Sequence, residues 1–74
     1  MNDKYLVVIE QARDGSYSAY LPDVPGCVSC GETVEEVKAM IQEAFEYHME
    51  GIRQAGLPIP PPTTISDYVG ATVN

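Results

Sequence analysis

The segment PGCVSCGETVEE, residues 25–36, contains both cysteines of the chain and leads into its longest amphipathic pattern. Its first two residues, Pro25 and Gly26, are typical of a tight turn, because proline fixes φ and glycine accepts a positive φ. Beyond the turn, a short strand is expected around residues 27–30. The character of the sequence changes at Gly31, after which a helix is expected. The segment therefore predicts the order turn, strand, helix.

The helix is predicted to start at a capping box. In this arrangement the Thr33 hydroxyl accepts from the Glu36 N–H, and the Glu36 carboxylate reaches back to the Thr33 N–H. From Val34 onward, apolar residues recur at spacings of three and four, as one face of a helix requires. The end is expected near Ala55, because Gly56 and a proline follow. The apolar stripe comprises Val37, Ile41, Ala44, Phe45, His48 and Ile52, with Met40, Tyr47 and Met49 at its flanks.

Two strand-like runs precede this segment. Residues 5–11, YLVVIEQ, and residues 17–21, YSAYL, are rich in aromatic and β-branched side chains. Asp14 and Gly15 lie between them, and Asp-Gly is the usual signal for a two-residue hairpin turn. An antiparallel hairpin is therefore predicted.

A turn at Asp14 and Gly15 would set the pairing register of that hairpin, with Ile9 opposite Tyr20 and Val8 opposite Leu21. One face would then carry Tyr5, Val7, Ile9 and Tyr20, and the other Leu6, Val8, Ala19 and Leu21. Both faces are largely apolar, whereas a half-solvated antiparallel sheet alternates between apolar and polar residues. We expect the helix on one face and a partner on the other, so a dimer or larger homo-oligomer is predicted.

The C-terminal part continues this outline. Residues 57–62, LPIPPP, predict an extended, polyproline-like connector. Residues 66–73 are a weaker candidate for a fourth strand, because Gly70 interrupts them. The predicted fold class is α+β in the order β-β-β-α-β: a three-stranded antiparallel sheet with one helix packed on one face and a weaker fourth strand.

Length and charge limit the function. A chain of 74 residues is expected to form a single domain over residues 1–74, with a core of about 5–62. Eleven acidic residues against four basic ones give a net charge of −7, which argues against direct nucleic-acid binding, because phosphate contacts require clustered Lys and Arg. No apolar run is long enough for a signal peptide or a membrane span. We expect a soluble cytoplasmic protein with reduced cysteines.

The C-x-x-C spacing of Cys27 and Cys30 admits a redox pair, half of a zinc site, or two unconnected thiols. Residues i and i+3 of a strand point to opposite faces with Cα atoms about 10 Å apart, and a disulfide requires roughly 7 Å or less. A structural zinc site requires four ligands, and only His48 is available as a further soft ligand. We therefore predict two unconnected thiols that are buried or half-buried, no metal and no cofactor, with His48 at the edge of the core or at an interface.

Catalysis by carboxylates has three candidates, Glu10, Asp14 and Asp23. The hairpin turn accounts for Asp14, and the proline-rich loop accounts for Asp23. No serine stands in the context of an activated nucleophile. The sequence predicts a protein that is not an enzyme.

Acidic residues are concentrated along the helix, where Lys38 is the single basic residue between positions 32 and 50. Two interpretations stay open: a solvated helix face, or a face that meets a basic protein partner together with the neighbouring sheet edge. For the second interpretation the partner-binding candidates are Glu35, Glu36, Glu43, Glu46 and Glu50.

The chain resembles the HicB-like antitoxins. That family shares a strand ending in a Pro-Asp-x-Pro-Gly-Cys turn, then Gly-Asp-Thr, an acidic helix start and a closing Gly-x-x-x-Pro. The matching residues, within a stretch of about 5–62, are Pro22-Asp23-Val24-Pro25-Gly26-Cys27, Gly31-Glu32-Thr33, Glu35-Glu36 and Gly56-Leu57-Pro58-Ile59-Pro60.

The resemblance implies a truncated RNase H-like domain without the catalytic carboxylates of that fold. It also implies an oligomeric antitoxin that binds a small basic ribonuclease toxin of the HicA type and blocks its catalytic surface. Only twelve residues follow Pro62, too few for the C-terminal DNA-binding module of full-length members, so a short form is expected. The alternative is a stand-alone oligomeric interaction domain of the same fold with no toxin partner.

Overall fold

The computed structural model describes residues 4–72. They form three strands, β1 (Val8–Gln11), β2 (Tyr17–Tyr20) and β3 (Val28–Gly31), followed by one helix, α1 (Val34–Gln54). The strands pair into one antiparallel sheet in the order β1-β2-β3, and α1 packs against β2 and β3. This confirms the predicted α+β class with three antiparallel strands and one helix, although β1 starts three residues later than predicted.

The β1–β2 hairpin turns over three residues, not two. The Ala12 N–H donates to the Ser16 carbonyl at 2.8 Å, and the Gly15 N–H donates to the Ala12 carbonyl at 3.0 Å. Gly15 has a φ of +90°, as expected for the glycine that follows a type I turn in a three-residue loop. Asp14 accepts from both the N–H and the hydroxyl of Ser16. The predicted two-residue turn at Asp14 and Gly15 is therefore wrong by one residue, Arg13.

Because of this extra loop residue, each side chain of β2 lies on the opposite face of the sheet from the one predicted, when β1 is taken as the reference. Val8 pairs with Tyr20 and Ile9 with Ala19, so the predicted pairing of Ile9 with Tyr20 is wrong. Because side chains alternate along a strand, a slip of one residue moves the whole set to the other face. Ala19 and Leu21 therefore face α1, next to the half-buried side chains of Tyr5, Val7, Ile9 and Tyr17.

Two turns in succession link β2 to β3. The Val24 N–H donates to the Leu21 carbonyl, and the Cys27 N–H donates to the Val24 carbonyl. Pro25 and Gly26, with φ of +87° at the glycine, occupy the two central positions of the second turn, where a type II turn favours these residues. The predicted turn is confirmed, and Val24, at the junction of the two turns, is fully buried.

The core lies between α1 and the sheet. Its buried cluster comprises Ala19, Leu21, Val24, Cys27, Val37 and Ile41. Val24, which was predicted as a turn residue, and Met49, which was predicted at the flank of the helix stripe, are 0% and 6% exposed. Met49 lies one helical turn after Phe45, whose ring centroid is 5.1 Å from that of Tyr5. The core thus extends beyond the stripe predicted from helical periodicity, and the chain ahead of β1 contacts it through the ring of Tyr5.

Both ends of α1 are capped at the predicted positions. The Thr33 hydroxyl accepts from the Glu36 N–H at 3.0 Å. The Glu36 carboxylate, however, accepts from the N–H of Glu32 at 2.7 Å and not from that of Thr33, so the predicted capping box is correct in one of its two hydrogen bonds. At the other end Ala55 is the cap, and Gly56 follows with a φ of +70°, as in a Schellman motif.

After α1 the chain returns to the sheet without forming a helix or strand within residues 57–72. The Tyr5 hydroxyl donates to the carbonyl of Pro60. The Asp23 carboxylate then accepts from the N–H and hydroxyl groups of both Thr63 and Thr64, at 2.7 to 3.0 Å. The chain after α1 is thus held to the segment ahead of β1 through Pro60 and to the turns between β2 and β3 through Thr63 and Thr64.

The predicted fourth strand over 66–73 is wrong for residues 66–72, and residue 73 lies outside the described residues. The Tyr68 N–H donates to the side chain of Asp67 instead of to a neighbouring strand. Ile65, Tyr68 and Val69 are each more than 90% exposed. Within residues 4–72, the apolar pattern that suggested a strand pairs with no sheet edge.

Candidate functional site

The predicted partner-binding glutamates lie together on the solvent side of α1. At 3.6 residues per turn the five positions fall within an arc of about 100°, and the buried residues Val37 and Ile41 lie on the opposite side of the helix. All five side chains are exposed: Glu35, Glu36, Glu43, Glu46 and Glu50. We call this surface the acidic face.

Three of these carboxylates accept hydrogen bonds from nearby residues, Glu36 from the Glu32 N–H just before α1 and the other two from side chains of α1. Glu36 caps the N-terminus as described, and Glu46 accepts from the side chain of Gln42 at 3.0 Å. Glu50 forms an ion pair with Arg53 at 3.0 Å, and this exposed pair adds little to stability. No hydrogen bond to the carboxylate of Glu35 or Glu43 is found within residues 4–72. The acidic face therefore keeps most of its negative charge available.

A groove runs along one border of the acidic face, between α1 and β3. The Tyr47 side chain stands beside it at 85% exposure, and Met40 is 47% exposed. Glu43 belongs to both the groove and the acidic face. The groove is lined by Gly26, Cys27, Val28 and Ser29 on the strand side, and by Met40, Glu43, Ala44, Tyr47 and His48 on the helix side.

The strand side of the groove is a sheet edge. β3 pairs with β2 along one side only, so its other side presents backbone N–H and C=O groups that an incoming extended segment can pair with. Val28 at the start of this edge is 65% exposed. The arrangement combines apolar contacts, a free strand edge and carboxylates, which suits an extended segment bearing basic side chains.

The carboxylates considered for catalysis do not meet. Asp14 lies in the hairpin loop, where the hydrogen bond from the Ser16 hydroxyl lowers its pKa. Asp23 lies at the other end of β2, where the hydrogen bonds from Thr64 and Thr63 lower its pKa. Glu10 lies between them, paired across the sheet with Ser18. Each of the two aspartates has a structural role in joining segments of backbone.

The two thiols point in opposite directions, as predicted. Both are free, and Cys27 is buried in the core, but Cys30 is exposed, so the prediction of a buried or half-buried thiol is wrong at that position. The side chain of Cys30 lies on the sheet face that α1 does not cover. Burial raises the pKa of the Cys27 thiol. Within residues 4–72 no three or more His, Cys, Asp or Glu side chains are grouped so that they could hold a metal ion.

The sequence interpretation included the acidic face and, in general terms, the neighbouring sheet edge, but it did not identify the groove. His48 is half-buried and lines the groove, near its predicted place at the core edge. The missed signal was the spacing of Met40, Ala44 and Tyr47, which puts them on one side of the helix, between the acidic face and the buried stripe. The α1 helix is not apolar enough over a sufficient length to cross a membrane, and it is the only helix in the described part of the chain.

Comparisons with known proteins agree with this architecture. Residues 5–73 match the family model described as a HicB-like antitoxin of bacterial toxin–antitoxin systems. The chain belongs to the HicB-like antitoxin family. The sequence resemblance over about residues 5–62 is therefore confirmed, and it extends through the segment after the helix.

Relatives of this HicB-like chain include proteins of different lengths. Antitoxin HicB 1 of Photorhabdus laumondii is 33% identical over 92% of this chain and 44% of that protein. A 14.9 kDa protein of Haemophilus phage HP1 is 37% identical over 88% of this chain and 48% of that protein. A UPF0150 protein of Synechocystis is 39% identical over 76% of this chain and 71% of that protein. The chain thus spans about half the length of the first two relatives.

A solved structure also has the fold of this HicB-like chain. A chain of the HicA3 and HicB3 toxin–antitoxin complex superposes with a TM-score of 0.67 at 33% sequence identity. The match covers 81% of this chain and 70% of that chain. The fold of an antitoxin-family domain is therefore established for this protein.

Proposed function

We propose that this protein is an antitoxin that binds a small basic ribonuclease of the HicA type and masks its catalytic surface. The observation that carries the proposal is the acidic face, which borders a groove with a free strand edge and contributes Glu43 to the lining of that groove. Membership of the HicB-like antitoxin family supports the proposal, as does the structural match to a chain of a toxin–antitoxin complex.

The physical basis of the proposed binding has two parts. A net charge of −7 attracts a basic protein over distance and speeds the encounter, and salt weakens this attraction. The groove then supplies short-range contacts, because the exposed Tyr47 ring is the kind of side chain that anchors protein interfaces. Occupying the ribonuclease surface excludes RNA without any chemical step, so the proposed role is binding and not catalysis.

Two further parts of the proposal concern the state of the protein. We infer that residues 1–74 act as one domain in the cytoplasm, where the free thiols stay reduced. We also infer that the chain self-associates, because a second apolar surface lies on the sheet face away from α1, where Tyr20 and Val28 are 40% and 65% exposed.

The antitoxin proposal predicts a basic open reading frame of similar size next to this gene, and its test is an RNA-cleavage assay with the purified product of that reading frame. We expect stoichiometric wild-type protein to suppress cleavage. The combined variant Glu35→Gln, Glu43→Gln, Glu46→Gln should bind about tenfold more weakly and with a shallower salt dependence. Glu10→Gln is the matched control, since it removes an exposed carboxylate on the sheet, and it should bind as the wild type does.

Unchanged RNA cleavage at saturating wild-type protein would reject the antitoxin proposal and favour the alternative, a stand-alone oligomeric interaction domain. If cleavage is suppressed but the triple variant binds as tightly as Glu10→Gln, the toxin-masking role stands and the acidic face is not its surface.

A further inference from the structure

The face of the sheet opposite α1, which we call the open face, is almost free of charge. Six strand residues point to this side, and Glu10 is the single charged one among them. Tyr20 is 40% exposed and Val28 is 65% exposed. None of the described secondary-structure elements covers this face. Its members are Val8, Glu10, Ser18, Tyr20, Val28 and Cys30.

A second apolar surface lies after the connector. We call residues 65–72 the tail. Ile65 is 91% exposed, Tyr68 is 96% exposed and Val69 is 95% exposed. Asp67 is the single charged residue of the tail. Because Asp23 holds the two threonines just before it, the tail starts from a fixed point and presents three large apolar side chains to solvent.

The open face is too small to hold a dimer together by itself. Three strands of four residues, about 4.8 Å apart with a rise of about 3.3 Å per residue, span an area of roughly 190 Å². A stable protein–protein interface buries about 800 Å² on each partner. An aromatic side chain alone buries about 150–250 Å², so Tyr68 with Ile65 and Val69 supplies much of the missing area.

We propose that the open face binds the tail of a second copy of this chain, and that the exchange is reciprocal. Residues 65–72 of each subunit then lie across Tyr20 and Val28 of the other. This inference rests on the proposed self-association and identifies the surface that produces it. The dimer it describes buries the apolar tail and the apolar sheet face in one interface.

The charge distribution favours a second copy as the occupant. Two chains with a net charge of −7 each repel one another unless they meet where the surface is uncharged. The open face, with Glu10 as its single charged residue, comes close to this condition, and the acidic face lies on the far side of α1. Such a dimer therefore leaves both acidic faces and the helix side of both α1–β3 grooves available to a basic partner, while Val28, which lines both the groove and the open face, is covered.

The first experiment measures sedimentation of the full chain at micromolar concentrations. The wild type should sediment with twice the monomer mass of 8.1 kDa. Tyr20→Asp places a charge on the open face and should give a monomer, and Val28→Asp, at a more exposed position, should do the same. Tyr47→Asp is the matched control, because it makes the identical change beside the groove, and it should stay dimeric. Far-UV circular dichroism checks that each variant is folded.

The second experiment tests the reciprocal exchange. The tail variant Ile65→Ser, Tyr68→Ser, Val69→Ser should also be monomeric. Mixing it with Tyr20→Asp should restore a species of dimer mass, because the intact tail of one chain can bind the intact open face of the other. A simple face-to-face dimer without the tail does not predict this rescue.

The outcomes distinguish self-association itself from the surface that we propose for it. A wild type that sediments as a monomer rejects the self-association itself. A wild-type dimer that survives in folded Val28→Asp or in the tail variant rejects the open face or the tail as its interface. The mixed dimer keeps one of the two contacts, so a mixture that stays monomeric even well above the concentration at which the wild type dimerises rejects the contact between the tail and the open face.

Discussion

The two faces of the three-stranded sheet differ in burial, although the side chains that form them alternate along the same short strands. On the face that α1 covers, Ala19 is 2% exposed, whereas its neighbour Tyr20 on the open face is 40% exposed. The covered face carries small residues where the helix approaches. A Cβ atom on Gly31 would lie 2.9 Å from a Glu36 carboxylate oxygen and 3.1 Å from the Val37 nitrogen. Space for the helix backbone, and not apolarity alone, therefore distinguishes the covered face from the open face.

The largest expected effect comes from comparing the same substitution, valine to alanine, on the covered side and on the open side of the sheet. Val37→Ala removes a fully buried side chain and should lower the free energy of unfolding by about 2–4 kcal/mol, because the lost burial adds to the cost of a cavity. Val28→Ala on the open face should change it by less than about 0.5 kcal/mol. Chemical denaturation at low protein concentration measures both, and equal losses would contradict the difference between the faces.

The close approach of α1 can be tested by two Gly→Ala substitutions. Gly31→Ala should destabilise the fold by about 1–3 kcal/mol, because the added methyl group is forced against the helix backbone. Gly51→Ala meets nothing within 4 Å and should stabilise the protein by about 0.5–1 kcal/mol through higher helix propensity. Thermal or chemical unfolding of the two variants gives the signs, and a stabilising Gly31→Ala would show that the approach is not tight.

The cysteines report on the two faces through their reactivity. At neutral pH, Cys30 should be alkylated at least about tenfold faster than Cys27. The reason is that burial both hides the Cys27 thiol from the reagent and raises its pKa. Mass spectrometry of partly labelled protein measures the two rates, and Cys30→Ser should retain only the slow reaction. The rate at Cys30 should also fall as protein concentration rises if a second copy covers the open face. Similar rates at both positions would place Cys27 outside the core.

The smallest expected effect concerns the hydrogen bonds from Thr63 and Thr64 to the Asp23 carboxylate, which fix the start of the tail. Hydrogen bonds from Thr64 and Thr63 lower the pKa of Asp23 in the folded protein. The stability that the ionised Asp23 carboxylate contributes is therefore present above the usual pKa range of aspartate. It is lost as the pH falls through the lowered pKa of Asp23 in the folded protein. The amide NMR signals of the two threonines should shift together in that acidic range, and Asp23→Asn should abolish the shift. Signals that titrate in the ordinary aspartate range would mean that the attachment does not persist in solution.

Much of the fold was predictable because short-range signals carry it. The turn at Pro25 and Gly26, the cap at Thr33 and the glycine after the helix each depend on one local backbone conformation, so single residues are sufficient evidence. The hairpin register was not predictable in this way. Asp14 and Gly15 fit either a two-residue or a three-residue loop, and only the pairing of complete strands decides between them.

The candidate site was predictable to a similar extent. Helical periodicity alone places the five glutamates on one side of α1. The spacing of Met40, Ala44 and Tyr47 could have indicated the helix side of the groove, but the groove itself could not be predicted, because it depends on how closely these residues approach the edge of β3. The fourth strand failed for the same reason: apolar residues such as Tyr68 and Val69 indicate burial, but they do not specify which chain provides it.

By itself the sequence determined the order of the elements, the ends of the helix and the acidic face, since each follows from contacts within a few residues. The tertiary structure alone decided which face of the sheet is covered, that Val24 and Met49 enter the core, and that the acidic face borders a free strand edge. These features depend on packing between segments distant along the chain. One residue of loop length, Arg13, reverses the outcome for every side chain of β2.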